Sequence, residues 1–275
     1  MNLATSLSDS LFTYACLIRL FSISLFLTSL EYLAVIGHFG DKGLYSWKMI
    51  RLNTSPNFAT LRLNPIFNKT GMWIIFSGRF ICSIYLMAAP LTTITVLLLS
   101  FIVVTSLLMS IRNPVGNDGS DQMALIISIS LLIAFACHDT KIASLCLYFI
   151  AAQSVISYVI AGVAKLFSKS WRSGIAVFQI MNTESFGSES VSKFLLNASP
   201  AFKMALAWGV MLFEALFFVV LVLPYPWFFV VLILGMAFHF YNAVIMGLNN
   251  FFWVFLATYP AIIYTNLALY HHFLR

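Results

Sequence analysis

The chain has 275 residues, of which 61% are hydrophobic and only 9% charged, with 27 phenylalanines and a mean hydropathy of +0.95. A soluble domain carries about 25% charged residues, so a soluble fold is excluded. The net charge of +6 is scattered over lysines and arginines between apolar segments, as in an integral membrane protein, and nucleic acid is set aside as a partner.

The N-terminal stretch MNLATSLSDSLFTYA has no basic start and runs into an apolar segment holding Arg19 and Glu31, so it reads as the approach to a first span, not as a cleaved signal peptide. Apolar runs long enough to cross the hydrocarbon core follow at roughly 11–37, 71–89, 90–111, 122–138, 142–166, 201–223, 226–247 and 250–270. These predict an all-α fold: a polytopic transmembrane helical bundle of about eight spans, multi-pass in the cell membrane. The bundle is expected to form one integral membrane domain over 1–275, embedded in the lipid bilayer, with no appended soluble domain. Pro90, Pro224 with Pro226, and Asn249 with Asn250 mark tight connections between antiparallel neighbours.

Two longer connections, at about 38–70 and 167–200, interrupt the bundle. The second mixes apolar and charged positions and predicts one or two interfacial helices in the membrane plane. If all eight spans cross, Lys42, Lys48, Arg51, Arg62 and Lys69 share a side with Arg112, Lys169, Arg172, Lys193 and Lys203. The positive-inside rule then puts that side in the cytoplasm and both termini outside. Cys16, Cys82, Cys137 and Cys146 lie in or beside spans with no CxxC and no His pair at ligand spacing. They read as small buried apolar residues rather than disulfide or metal partners.

Charged groups in hydrocarbon are costly, so each one inside a span is a functional candidate. Lys165 closes an apolar run that begins at Ile142. Its ammonium either snorkels outward on its flexible stem or faces the interior, where a desolvated lysine acts as a base. Tyr158, Gly162 and Lys165 lie four and three residues apart, on one helical stripe. His239 and Asn242 are three apart on another helix and line either a cavity or an interhelical hydrogen bond. Arg19, Glu31, Arg79 and Glu214 read first as structural ion pairs and second as site residues. The RNPVGNDGSDQ segment, with Asp118 and Asp121, reads first as a turn and second as a polar site. Trp171 reads as an interfacial belt residue.

Taken in order, an arginine in the first span, the DGSDQ loop, the run Q...Y...AGVAKL...W..G from Gln153 to Trp171, and FH..NAVIMGL..FFW from Phe238 to Trp253 resemble the HTTM family. That family includes the membrane domain of the vitamin K-dependent gamma-carboxylase. The resemblance runs from Arg19 to Pro260 and is closer to short bacterial members of the sporulation-delaying protein B type. It implies Lys165 as a catalytic base, with His239, Asn242, Tyr158 and Gln153 around it and Asp118 and Asp121 at the cavity mouth. It also implies a quinone as the cofactor candidate.

The chain departs from the carboxylase in reading NDGSD over 117–121, where the carboxylase has a histidine, and it has only His271 to Arg275 beyond the last span. Glutamate carboxylation is therefore not the expectation. What the resemblance implies is maturation or modification of a small peptide or secreted protein, with a peptide substrate or partner protein. The alternative is a non-enzymatic protein binding a lipid, quinone or peptide, such as an immunity or export accessory. The family places its chemistry on the extracytoplasmic face, whereas the charge count puts the loop after Lys165 in the cytoplasm.

Overall fold

A computed structural model of the chain describes residues 9–53, 63–113 and 117–273. Arg62, residues 114–116 of the predicted turn, and Arg275 lie outside the described residues. The regular elements among the described residues are all helical, and seven helices are long and apolar enough to cross a membrane. This is the make-up of a multi-pass integral membrane protein, since only helices and closed barrels satisfy every backbone polar group within lipid.

The chain divides into two compact units, 14–146 and 147–275 joined by residues 1–13. The unit over 14–146 holds most of α1 (Ser10–Ala34), then α2 (Trp47–Ile50), α3 (Asn64–Phe67), α4 (Lys69–Ala88), α5 (Thr93–Arg112) and α6 (Gly119–Cys137). Here α5 packs on both α4 and α6. Each start has a local cause. Asn68 accepts from the Gly71 N–H at 2.8 Å to cap α4, and Thr92 and Thr95 form a reciprocal capping box on α5. Phe39, Trp47, Phe67, Met72, Ile75 and Phe76 form a buried cluster that fastens the 36–53 segment to α4. Trp47 Nε1 anchors it by donating to Asn64 Oδ1 at 2.7 Å.

The other unit takes in most of α7 (Thr140–Phe167), then α8 (Lys169–Arg172), α9 (Ile175–Met181), α10 (Glu189–Asn197) and α11 (Pro200–Ala215). It continues through a 3-10 segment, Phe217–Leu221, to α12 (Phe228–Met246) and α13 (Asn249–Phe273). Where one or two interfacial helices are predicted over 167–200, the structure has three short helices, α8, α9 and α10. The predicted 201–223 span is a composite. The 16 residues of α11 rise about 24 Å, short of a hydrocarbon core of roughly 30 Å, and the 3-10 segment continues the path. Asn266 of α13 secures its end, its Nδ2 donating to the carbonyls of Val220 at 2.9 Å and Leu223 at 2.8 Å. Without that amide those carbonyls would be buried orphans.

Helix faces follow the 3.6-residue period. On α7, Leu147, Ala151, Val155 and Tyr158 are buried while Phe149, Ile156, Ile160 and Val163 are exposed. On α12, Phe228, Leu232, Gly235 and His239 are buried while Ile233, Met236, Phe240 and Val244 are exposed. The exposed apolar faces suit lipid. The inward stripes are where small and polar residues set the packing, because lipid gives helices no hydrophobic reason to associate.

Candidate functional site

The inward stripe of α7 carries the site. Lys165 Nζ donates to Glu214 Oε2 of α11 at 2.6 Å, and the two side chains are 22% and 6% exposed. The pair exists because Gly162, one turn earlier, lets α7 and α11 touch backbone to backbone. A Cβ at Gly162 would run into the main chain of Ala215. Trp171, four residues past α7, places its ring 5.3 Å from Lys165 Nζ. The ammonium is thus held between a carboxylate and an indole face.

Two turns before Lys165, Tyr158 lies in an aromatic cluster. Its ring stacks on Phe217 of the 3-10 segment, with centroids 3.8 Å apart and planes at 16°, and meets His239 of α12 at 5.3 Å edge to face. Its hydroxyl is 3.5 Å from that of Tyr259 on α13. One turn back, the Ser154 and Thr258 hydroxyls are hydrogen-bonded at 2.8 Å, so hydroxyl pairs join α7 to α13. Phe217 lies on the turn after Glu214, which brings the aromatic cluster and the ion pair into one tract of α7.

His239 is 5% exposed and stacks on Phe255 at 4.6 Å. Neither its Nδ1 nor its Nε2 has a hydrogen-bond partner among the described residues. An imidazole buried in this way retains unused capacity to donate and accept, at a cost of about 1–3 kcal/mol per unmet group.

The structure therefore brings Lys165, Glu214, Tyr158 and His239 together within one unit. Asn242 and Gln153 are half-buried on α12 and α7, and no hydrogen bond among the described residues joins their side chains to these four. Arg79, Asp118 and Asp121 belong to the unit over 14–146. Arg79 is buried and meets hydroxyls rather than a carboxylate: its Nη1 donates to Thr105 Oγ1 at 3.0 Å and Ser106 Oγ at 2.8 Å. Asp118 is the N-cap of α6, accepting from the N–H groups of Ser120 at 2.8 Å and Asp121 at 3.0 Å, with Asp121 completing the capping box. That is the turn role read first from the sequence. Arg19 and Glu31 are exposed on α1.

Several residues of the site carry no charge and do not stand out in the sequence. Tyr259, Thr258 and Ser154 have only their helical spacing to mark them, and Trp171 reads as a belt residue although it faces the lysine. Arg112, counted as a basic loop residue, is fully buried; it donates to the Tyr45 carbonyl and to Asn113 Oδ1, over the Phe39 ring at 4.7 Å. Comparisons with protein-family models, curated proteins and solved structures each gave no match.

Proposed function

We propose that this is an HTTM-like integral membrane protein that matures or modifies a small peptide or secreted protein, with Lys165 as the base of its site. The observation that carries the reading is the hydrogen-bonded Lys165–Glu214 pair on the inward face of a membrane helix. A proton passed from ammonium to carboxylate leaves a neutral amine and a neutral acid, with no net change of charge in a low-dielectric setting. The amine so freed takes the substrate proton and is again an ammonium, beside a Glu214 that is now a neutral acid, with the substrate anion as the counter-charge. Tyr158 lies on the same stripe and supplies a hydroxyl towards the substrate. The resemblance supplies the substrate class and the quinone candidate.

The orphan imidazole favours a second reading, in which the bundle binds a lipid, quinone or peptide without changing it. His239 then serves as the hydrogen-bonding anchor of a ligand otherwise held by aromatic rings. Intact-mass analysis of secreted peptides from cells with the wild-type protein, without it, or with Lys165→Ala at matched membrane abundance separates the two. A peptide mass that changes only with the wild-type chain supports the base; unchanged masses throughout leave binding alone.

A further inference from the structure

The segment between α7 and α11 encloses a cleft of about 450 Å³, whose lining shares no residue with the Lys165 site. That volume lies within the roughly 300–1,000 Å³ range of ligand pockets. Phe178, Met181 and Leu196 give it an apolar wall, and its charged residues are Glu184, Glu189 and Lys193. Lys193 Nζ donates to Glu189 Oε1 at 2.6 Å, so those two charges compensate each other. Glu184 makes no ion pair or hydrogen bond among the described residues and is the uncompensated charge of the lining. Asn182, also in the lining, accepts from Ser192 Oγ through its Oδ1 at 3.1 Å, which leaves its amide N–H groups free to donate. Lys203, outside the lining, places its Nζ 5.7 Å from the Phe178 ring centroid.

We propose that this cleft binds a basic segment of an extended peptide. A lysine or arginine head pairs with Glu184, its aliphatic stem and an apolar neighbour lie on Phe178, Met181 and Leu196, and the Asn182 amide meets a peptide carbonyl. An uncompensated carboxylate beside an apolar wall selects a cation on a hydrocarbon stem. A phospholipid amine has the same positive head but carries a phosphate next to it, which would be set against the carboxylates of Glu184 and Glu189. The proposal rests on the reading above for a peptide as substrate. It adds where the peptide is held and what side chain marks it.

The test uses the full chain in phosphatidylcholine nanodiscs, titrated with fluorescent peptides of the pattern Phe-Lys-Phe, Phe-Glu-Phe and Phe-acetyl-Lys-Phe. Saturable binding of the lysine peptide is expected, weakened at least about tenfold by lysine acetylation or by Glu184→Gln, with no binding of the glutamate peptide. Equal affinity for all three peptides, absence of binding, or an unchanged affinity in Glu184→Gln overturns the proposal. So does loss of peptide binding on adding phosphatidylethanolamine, which would give the cleft to a lipid amine. If the wild-type chain binds the lysine peptide while secreted peptide masses never change, the base reading fails and the cleft stands.

Discussion

Lys165 and Glu214 lie 49 residues apart in sequence and meet at 2.6 Å where α7 and α11 touch through Gly162. An ion pair this shielded is held by its own two members. Removing one of them leaves a charge that hydrocarbon penalises.

Lys165→Ala is therefore expected to destabilise the bundle by about 3 kcal/mol, the lower end for a broken buried pair because the lysine is partly exposed. The double variant Lys165→Met with Glu214→Leu is expected to recover most of that loss. Thermal unfolding in detergent checks this, and a double variant as unstable as the sum of the single ones would contradict it.

Gly162→Ala is expected to cost about 1–3 kcal/mol, since its new methyl group meets backbone that has no room to move. Gly209→Ala, in α11 with nothing within 4 Å, is the control and is expected to gain up to about 1 kcal/mol from helix propensity. Comparison of the two melting curves reads out the close approach directly.

His239→Phe is expected to leave thermal stability unchanged or raised, because it removes two unpartnered nitrogens from an aromatic surround, and to abolish maturation or ligand binding. A melting temperature lowered by several degrees would mean that the imidazole has a partner in the resting protein.

Arg112→Lys is expected to speed amide exchange across residues 36–47. The planar guanidinium reaches the Tyr45 carbonyl and Asn113 together while lying over Phe39, and an ammonium cannot do all three. Unchanged exchange in that segment would show that the aromatic cluster alone holds it.

The apolar runs made the membrane helices legible, because crossing hydrocarbon imposes a length and a composition that nothing else in the chain mimics. Hydropathy does not distinguish an α-helix from a 3-10 segment, so the break after Ala215 lay hidden in a run that reads as one span. The charged members of the site were visible as costly residues. Their pairing was not: Glu214 reads with Arg19, Arg79 and Glu31 as a structural ion-pair set that leaves Lys165 out, and only the packing at Gly162 brings Lys165 to the carboxylate. Tyr259, Thr258 and Asn266 were invisible for a different reason: uncharged polar residues are common on membrane helices, and their role depends on which neighbour each one faces.

The most direct test of the central claim is the peptide-maturation assay on Lys165→Arg. Arginine keeps the positive charge and the partner Glu214 but does not release its proton in proteins. A folded Lys165→Arg protein at wild-type abundance that produces no peptide mass change is the result predicted for a lysine base. Full maturation by that variant would contradict it, leaving residue 165 a structural cation.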